Sequence, residues 1–430
     1  MIESVGFWVA ADAWRTLRAA RLAPDALQAL ARARLARMLR AAAATGFYRR
    51  RLDAAGVGGD ELMLESSPEQ VLQALAPAGK AELREAGGEI LLGGKVRPEW
   101  RSSSSSGSTG EPFRVYYDPR AWATLKILVK LRARRACGTQ PTDRVALLDA
   151  VPPSSAQPSP AARVARISIL QPAATVAAEL AAFGPDTVYG LPSALLEAAE
   201  ALAARGMRLR VRRVFTSGEL LRPAARQAIA GAFGARVFDV YGSSETKEVA
   251  WECQAGGMHV NADVVRLEVL DDASRPVPDG VEGNLVATLL VNRAMPLLRY
   301  RIGDRGSLLT ERCDCGHPFP LLGVVTGRRA DVMVLAGGRR VSPYALTCAM
   351  EQVGDVLRYQ VIQLEPARLR VSAILDPGAD RSRIAGRIRS VMRGEIAHFL
   401  ETEVEFVDRL PTGPRAKFRV VEPLTSLERA

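Results

Sequence analysis

The sequence predicts an α/β protein: a large N-terminal domain with mostly parallel sheets flanked by helices, followed by a small α+β C-terminal domain. Its 430 residues exceed the usual size of one domain. Apolar β-rich segments alternate with helical segments from Val115 onward, at the spacing of βαβ units. The pattern changes after Gly327, where about a hundred residues follow, the size of a single domain. We therefore predict domains at residues 1–327 and 328–430.

The N-terminal part, about residues 1–95, is predicted to be helical. Residues 10–45 combine alanine, leucine and arginine at helical spacing and are expected to form one or two helices. Residues 66–85 are expected to form a further helix, because Ser67-Pro68-Glu69 is a helix-start pattern. A strand is expected at Phe113–Tyr117.

The rest of the chain alternates between strands and helices, which predicts a mostly parallel sheet in the large domain. The expected elements there are strand Arg144–Asp149, strand Thr187–Tyr189, helix Pro192–Arg205, strand Leu209–Phe215, helix Pro223–Phe233, strand Val237–Val240, and antiparallel additions at Leu285–Leu290 and Gly306–Leu309. In the small domain they are strand Val332–Leu335, helix Pro343–Val353, strands Tyr359–Leu364 and Leu369–Leu375, helix Asp380–Leu400 and strand Glu403–Phe406.

Composition argues against several classes of protein. The net charge is +11, but 52 of the 58 basic residues are arginine. They are scattered over amphipathic helices as a solvated face, without the interleaved aromatic residues of a nucleic-acid site. The apolar runs are too short to span a membrane, and the N-terminus lacks a signal-peptide pattern. Five cysteines, an odd number, fit a reducing compartment. We therefore expect a cytoplasmic protein that binds neither nucleic acid nor membranes.

The segment Arg101–Phe113, RSSSSSGSTGEPF, is unusually rich in serine and glycine. A flexible linker would have such a composition. From Gly107 to Pro112, however, glycines alternate with hydroxyl residues. Glycine lets backbone N–H groups turn around an anion, and hydroxyls donate to phosphate oxygens. Taken alone, the segment is either a linker or a phosphate-binding loop.

The order of further motifs resembles the adenylate-forming superfamily of acyl-CoA ligases, luciferases and peptide-synthetase adenylation domains. Five motifs carry the resemblance: SSGSTG at Ser105, Ser106, Gly107, Ser108, Thr109 and Gly110; YGSSE at Tyr241, Gly242, Ser243, Ser244 and Glu245; YRIGD, which ends at Asp304; Gly327-Arg328; and Lys417 in PRAKFRVV. The short chain, the wording MPLLRYRIGD and the cysteine-containing insert after it look most like the phenylacetate–CoA ligase branch, including its capsule-synthesis-type relatives.

The resemblance implies a two-step ligase. ATP would activate a carboxylic acid, an aryl or small hydrophobic one, to an acyl-adenylate, and CoA would then take the acyl group as a thioester. The small domain would be mobile and rotate between the two steps. A homodimer is expected because relatives form them. Transfer to a carrier-protein thiol or an amine stays open as an alternative, as does a non-catalytic nucleotide-binding homologue.

The roles of individual residues also follow from the resemblance. Because both reactants are anionic, catalysis needs positioning and charge neutralisation. The serine–glycine loop would hold the β- and γ-phosphates, Glu245 would be an oxygen ligand of Mg²⁺, and Asp304 would bind the ribose hydroxyls. Tyr241 would stack near adenine. The remaining candidates are Gly218, Glu219, Asp239, Gly242, Ser243 and Ser244 for the nucleotide, with Lys417, Glu245 and Arg328 as catalytic groups.

Both carboxylates have ordinary structural alternatives. Asp304 lies beside Arg301 and Arg305 and could form a surface ion pair. Glu245 could be an acid in the first turn of a helix. Inside the ordered motif set we favour the functional interpretation.

Lys417 lies between Arg415 and Arg419 in a chain that uses arginine for most cations. A lysine here indicates a need for a compact, mobile point charge. In the family this lysine touches the carboxylate and the α-phosphate. The alternative is a solvated terminal lysine.

The cysteines suggest a second kind of site. Three thiolates and one imidazole make a closed tetrahedral Zn²⁺ site, and the chain offers Cys253, His259, Cys313 and Cys315. His317 could replace His259. The alternative is two unrelated pairs of buried cysteines acting as small apolar residues, the role we expect for Cys137 and Cys348.

Three positions depart from the family pattern. Glu111 stands where lysine is usual, which removes one phosphate contact. Ala330 stands at the hinge position that usually carries aspartate, although a hinge needs only to absorb a backbone rotation. Thr347 stands where the ligase branch carries glutamate. The departures at Ala330 and Thr347 bear on transfer to CoA more than on adenylate formation.

Overall fold

The structure is a computed structural model. It describes residues 14–57, 67–105, 113–149, 151, 162–323, 325, 327–328, 333–341, 346, 349–350, 352–410 and 420–424. These residues fall into two compact units, one within Met1–Thr142 and Phe238–Val325 and the other within Asp143–Val237 and Thr326–Ala430. The domain boundary predicted between residues 327 and 328 stays a prediction.

Most of the helices begin at a proline, next to a glycine or after a capping side chain, whereas α6 continues directly from a π-helical turn. Those of the first unit are α1 (Pro24–Ala43), α2 (Gly46–Ala54), α3 (Pro68–Ala74), α4 (Lys80–Glu85), α5 (Pro119–Trp122) and α6 (Val129–Ala136). Those of the second unit are α7 (Ala173–Phe183), α8 (Pro192–Ala204), α9 (Pro223–Phe233) and α10 (Arg381–Val391). A π-helical turn, Ala123–Leu128, joins α5 to α6.

The strands follow the apolar runs of the sequence. Those up to residue 260 are β1 (Arg101–Ser105), β2 (Phe113–Tyr117), β3 (Val145–Asp149), β4 (Val164–Ser168), β5 (Thr187–Gly190), β6 (Arg213–Ser217), β7 (Arg236–Ser243), β8 (Lys247–Glu252) and β9 (Met258–Val260). The next are β10 (Val265–Leu270), β11 (Gly283–Leu289), β12 (Tyr300–Gly306), β13 (Leu308–Leu309), β14 (Leu321–Leu322) and β15 (Gly327–Arg328). The last are β16 (Met333–Val334), β17 (Arg340–Val341), β18 (Val356–Glu365), β19 (Arg368–Leu375), β20 (Glu401–Phe406) and β21 (Val421–Glu422).

The first unit is built from antiparallel strands. β11 pairs with β10 and β12, which confirms the antiparallel addition predicted at residues 285–290. β7, β8, β9, β14 and β13 follow one another in a second antiparallel series. One apolar core joins both series to α1, α2 and β2. This core places the YGSSE and YRIGD segments in one packed body.

The second unit contains the predicted parallel sheet. β4, β3, β5 and β6 lie side by side and pair in parallel, and α8 packs against α7 and α9. Their apolar residues form one core. A separate core lies beneath β18, β19 and α10. The alternation of strands and helices seen in the sequence therefore gave the correct fold class.

Several element boundaries were predicted wrongly. Residues 66–85 form α3 and α4 and not one helix, because Pro77 and Gly79 interrupt the helical run. Arg101–Ser105 is a strand and not a loose segment. The strand expected to begin at Leu209 begins at Arg213. The helix expected over 380–400 ends at Val391 and continues only as a π-helical turn to Ile396. The helix predicted at 343–353 lies largely outside the described residues.

Candidate active site

The serine–glycine loop is flanked by a β-hairpin. β1 pairs antiparallel with β2, from Arg101 opposite Tyr117 to Ser105 opposite Phe113. The chain therefore leaves and rejoins this hairpin at adjacent positions. Residues 106–112, which include five of the six predicted loop residues, lie outside the described residues.

Strand β2 links the loop to two other motifs. The ring of Phe113 stacks on that of Tyr300, the first residue of YRIGD, at 6.5 Å between centroids. At the other end of β2, the Tyr117 hydroxyl lies 2.6 Å from the carbonyl oxygen of Glu245 and 3.1 Å from that of Ser244. Burial raises the pKa of Tyr117 well above its ordinary value, so its hydroxyl stays protonated and donates. One strand thus fixes the distance between YRIGD and YGSSE.

The YGSSE residues form the end of β7 and the turn into β8. The Ser243 hydroxyl accepts from the backbone N–H groups of Glu245 at 3.2 Å and Thr246 at 3.1 Å, which closes the turn. At Gly242 the two strands approach so closely that a Cβ atom would lie 2.1 Å from the carbonyl oxygen of Lys247. Glycine is therefore required at this position.

Tyr241 and Asp304 join the two motifs directly. The Tyr241 hydroxyl donates to Oδ2 of Asp304 at 2.8 Å, and both residues are half-buried. Gly303, just before the aspartate, has a φ of 93°, a left-handed conformation that favours glycine. This turn of the backbone brings the Asp304 carboxylate next to the tyrosine.

The arginines on either side of Asp304 have other partners. Arg305 pairs with Glu282 through a contact of 2.7 Å, and Arg301 donates to the hydroxyl of Ser274 at 2.9 Å. Both arginines thus have partners other than Asp304. These contacts give no support to the alternative interpretation, in which Asp304 forms a surface ion pair with one of them.

Glu245 is buried, with 6% of its surface exposed. It lies in the turn between two strands, so the interpretation as a first-turn helix acid is wrong. Its Oε1 lies 3.5 Å from Nζ of Lys80. A carboxylate held this way beside one cation is a hard oxygen donor of the kind that Mg²⁺ prefers.

Sequence reasoning missed the lysines around this turn. We call Lys80, Lys126, Lys130 and Lys247 the lysine cluster; they are four of the six lysines in the chain. Lys130 pairs with Glu248 at 2.8 Å. Lysine is scarce in this chain, and the argument from scarcity was applied above only to Lys417. The same argument could have identified these four lysines from the sequence.

Three further residues that were predicted to bind the nucleotide have structural features of their own, either hydrogen bonds or an unusual backbone angle. The Glu219 carboxylate accepts from the backbone N–H of Ser193 at 3.0 Å and from its hydroxyl at 2.9 Å, and so caps the start of α8. Gly218 has a φ of 87°. The backbone N–H of Asp239 donates to Glu252 at 2.9 Å. The capping contact gives Glu219 a role that does not require a ligand.

The four side chains predicted as zinc ligands come together. One ligand atom from each of Cys253, His259, Cys313 and Cys315 lies within 4.8 Å of all the others. The Sγ atoms of Cys253 and Cys313 are 3.5 Å apart, and Nε2 of His259 is 3.1 Å from Sγ of Cys315. We call these four residues the Cys/His cluster. It joins the end of β8 and β9 to the connection between β13 and β14.

Neighbouring groups orient the Cys/His cluster. Nδ1 of His259 lies 3.1 Å from the carbonyl oxygen of Phe319, which leaves Nε2 facing the thiols. Burial lowers the pKa of His259 and favours the neutral imidazole that a metal requires. A Cβ atom at Gly257 would lie 2.7 Å from Sγ of Cys313, so glycine is needed here as well.

His317 lies beside the Cys/His cluster, with its ring centroid 5.6 Å from that of His259, but it is not one of the four residues whose ligand atoms come together. Nδ1 of His317, the alternative ligand, lies 3.4 Å from the carbonyl oxygen of Ala20. Cys137 is buried, as expected, and its thiol contacts the Glu252 carbonyl oxygen. Cys348 lies outside the described residues.

Comparison with known proteins agrees with this arrangement. Residues 105–288 match the family described as AMP-binding enzyme. A phenylacetate-coenzyme A ligase of Thermus thermophilus is 31% identical over 203 residues, 44% of this chain and 45% of that protein. The one of Pseudomonas putida is 27% identical over 325 residues, 67% of each chain. The chain thus spans about half the length of the Thermus thermophilus protein.

These matches support the resemblance to the adenylate-forming superfamily and to its phenylacetate–CoA ligase-like branch. A crystal structure of a 2-hydroxyisobutyryl-CoA ligase in the postadenylation state has the same fold, with a TM-score of 0.77, 20% identity, and coverage of 96% of this chain and 92% of that one.

The described part of the chain contains the YGSSE and YRIGD motifs and both strands flanking the serine–glycine loop. Arg328 lies in β15 by its backbone, and Lys417 lies outside the described residues. None of the described helices has both the length and the apolar character needed to cross a membrane.

Proposed function

We propose that this adenylate-forming protein is an AMP-forming acid–thiol ligase that makes an acyl-adenylate and then a CoA thioester. The observation that best supports this is the hydrogen bond between Tyr241 and Asp304, together with the Tyr117 contacts that hold Glu245 in the adjacent turn. The contacts hold Asp304 and Glu245, the carboxylates that would bind the ribose and the metal, within one packed body.

In the first step, a carboxylate oxygen of the acid attacks the α-phosphorus of ATP. A new P–O bond forms, the bond to the β-phosphate breaks, and pyrophosphate leaves with the electron pair. The Asp304 carboxylate would accept hydrogen bonds from the ribose hydroxyls. Ser105 to Gly110 would hold the β- and γ-phosphates, and Arg328 and Lys417 would neutralise charge near the reacting oxygens.

Glu245 would hold Mg²⁺, which neutralises charge on the phosphate oxygens when bound. The described carboxylate fits this role because it is fixed in a turn and buried. Gly218, Glu219, Asp239, Gly242, Ser243 and Ser244 would line the nucleotide, with Tyr241 beside the adenine.

In the second step, the CoA thiolate attacks the acyl carbonyl, a C–S bond forms, and AMP leaves. The small C-terminal domain would rotate between the steps. Aryl or small hydrophobic acids are the first substrates to test. Because Ala330 and Thr347 depart from the ligase pattern, transfer to a carrier-protein thiol or an amine is the second candidate.

The Cys/His cluster would hold a structural Zn²⁺. Three thiols and one neutral imidazole within 4.8 Å of one another are the donor set of a closed tetrahedral site. The ion would fasten the connection between β13 and β14 to β8 and β9. We also propose a cytoplasmic location and a homodimer.

A screen of acids for ATP-dependent pyrophosphate release tests the first step. We expect release with at least one acid, and product masses with and without CoA identify the acceptor. Absence of release with every acid, and unchanged behaviour of the Lys417→Ala variant, would support a non-catalytic nucleotide-binding protein instead.

A further inference from the structure

Two adjacent residues of β18 reach the helices that cover the parallel sheet. Nη1 of Arg358 donates to Oε1 of Glu197 at 2.9 Å, and its Nη2 donates to Oε2 of Glu200 at 3.2 Å. The guanidinium group of Arg222 lies over the ring of Tyr359, 4.9 Å from its centroid. Both glutamates lie in α8, and Arg222 directly precedes α9. Side chains of the predicted small C-terminal domain thus contact both helices.

These contacts join two separate apolar cores within the second unit. The core of the parallel sheet and the core beneath β18, β19 and α10 share no residue. Residues 238–325, which lie between them in the chain, belong to the first unit. Two bodies that meet through side chains and do not share a core can move apart without unfolding. The surface between β18 and α8 is therefore a place where the small domain can attach and detach.

Arg358 is matched to its two partners. Glu197 and Glu200 are three residues apart, so they lie on the same face of α8, where two like charges repel each other. A guanidinium group has a planar fork of donors and can bind both carboxylates at once. Only 15% of the Arg358 side chain is exposed, against 45% and 54% for the glutamates. The arginine thus lies inside the contact, and its charge offsets the repulsion on the helix.

The strand is irregular where the contact is made. The pairing of β18 with β19 shifts its register between Val356 and Arg358. Such a bulge bends a strand and changes the direction of its side chains. Consecutive side chains of a regular strand point to opposite faces, yet Arg358 and Tyr359 both reach α8 and α9, which pack against each other. The bulge accounts for this shared direction.

The strength of the contact suits a temporary attachment. Ion pairs with half-exposed carboxylates contribute little free energy, and salt screens them. A permanent joint would bury apolar surface instead. A contact that changes the population of one arrangement tenfold needs only about 1.4 kcal/mol. Such a contact can be broken and remade in each catalytic cycle.

We propose that Arg358 is a positioning residue. Its contact with Glu197 and Glu200 holds the small C-terminal domain in one of the two arrangements that the two steps require, and breaking the contact favours the other arrangement. The inference rests on the proposed function, in which this domain rotates between adenylate formation and transfer to CoA. Arg358 then sets the balance between the two steps.

The test measures the two steps separately, with phenylacetate as the first acid and the best acid of the pyrophosphate screen as its replacement. ATP–pyrophosphate exchange gives the rate of adenylate formation, and single-turnover reaction of the synthetic acyl-adenylate with CoA gives the rate of transfer. In Arg358→Met one rate should rise and the other fall, so that their ratio changes at least tenfold. Arg370→Met removes an arginine that pairs with Glu403 at 3.2 Å within the small domain and should leave the ratio unchanged.

Two further measurements distinguish a positioning role from a structural one. Reversal of the charges, Arg358→Glu together with Glu197→Arg and Glu200→Arg, should restore the wild-type ratio within about threefold. Raising NaCl from about 0.05 to about 0.5 M should shift the wild-type ratio towards that of Arg358→Met, because salt screens the ion pairs. The ratio of the variant should change less.

Changes of the same sign in both steps, or no change in either, would overturn the proposal. The first result would assign Arg358 a structural role, and the second would remove it from the reaction. If Arg358→Met does not unfold cooperatively, Glu197→Gln combined with Glu200→Gln breaks the same contact from the side of α8.

Hydrogen exchange of the protein without acid or ATP separates this proposal from the proposed function. Amides of α8 should exchange faster in Arg358→Met than in Arg370→Met, because loss of the contact exposes the helix surface. If no acid releases pyrophosphate, the proposed function fails and this exchange alone decides whether Arg358 holds the small domain. Equal exchange in the two variants would contradict the inference without contradicting adenylation.

Discussion

The hydroxyl of Tyr241 donates a hydrogen bond of 2.8 Å to the carboxylate of Asp304, although 63 residues separate them in the chain. The tyrosine lies near the end of β7, in one antiparallel series, and the aspartate lies in β12, in the other. Their contact holds the Asp304 carboxylate beside the tyrosine. The YGSSE and YRIGD motifs are therefore joined in the fold, as the proposed nucleotide site requires.

Replacement of Asp304 by asparagine should weaken ATP binding. The amide keeps one acceptor but loses the charge and part of the hydrogen bonding to two hydroxyls, so KM for ATP should rise about 10- to 100-fold. Tyr241→Phe should raise it less, about 3- to 10-fold. Pyrophosphate-release kinetics measure both.

A matched control is Asp271→Asn, at a half-buried aspartate that pairs with the exposed Arg275. Its KM for ATP should not change. An Asp304 variant with the same KM as this control would contradict the assignment of the ribose site.

Lys417→Ala should lower adenylate formation by orders of magnitude and leave the fold intact. A point charge that contacts the carboxylate and the α-phosphate acts mainly in the transition state, so kcat should fall more than KM rises. Lys95→Ala serves as control. Normal pyrophosphate release by the Lys417 variant would remove this lysine from the mechanism.

The purified protein should contain about one equivalent of zinc, measured by elemental analysis. Cys315→Ser should lose the metal and lower the melting temperature, because the connection between β13 and β14 is no longer fastened. Cys137→Ala, at a buried cysteine outside the Cys/His cluster, should keep the full zinc content. A metal-free wild type of normal stability would refute the zinc site.

Arg132→Met should destabilise the first unit strongly. Arg132 pairs with Asp263 at 2.8 Å, with 1% and 0% of their side chains exposed, and its removal leaves a buried carboxylate short of a partner. The expected loss is about 3 kcal/mol of unfolding free energy, since Arg34 still contacts Asp263. Denaturant unfolding measures it.

Arg275→Met removes an exposed cation from its pair with Asp271 and should cost at most about 0.5 kcal/mol. Similar losses for Arg275→Met and Arg132→Met would show that the buried network contributes little to stability.

Much of the site was predictable because its chemistry is carried by short motifs. Ordered motifs singled out Tyr241 and Asp304, which the structure brings into contact. Residue type alone singled out the four residues of the Cys/His cluster, which come together although Cys253 and Cys313 lie 60 residues apart. Lys247 and Tyr117 were missed because nothing local marks them: burial and neighbouring charge arise only when β2, β8 and the π-helical turn pack together.

The ends of helices were harder to predict from the sequence than the fold class was, for a similar reason. Alternation of strands and helices depends on many residues, so single errors average out. The break between α3 and α4 depends on Pro77 and Gly79 and on a partner distant in sequence: Ala78 exchanges backbone hydrogen bonds with Arg299 and Arg301, at 3.0 and 2.9 Å. Periodicity within the helical segment contains no information about that partner.

The two backbone hydrogen bonds that join Ala78 to Arg299 and Arg301 determine which shorter fragments of the protein can fold. A fragment limited to residues 105–288, the matched family segment, would lack both the extended residue at Ala78 and the strand it borders. A fragment begun at residue 101 would keep that strand but leave the amide of Arg301 and the carbonyl of Arg299 without these partners. The leading helices are thus part of the folding unit of the first compact unit, and a fragment without them should be insoluble.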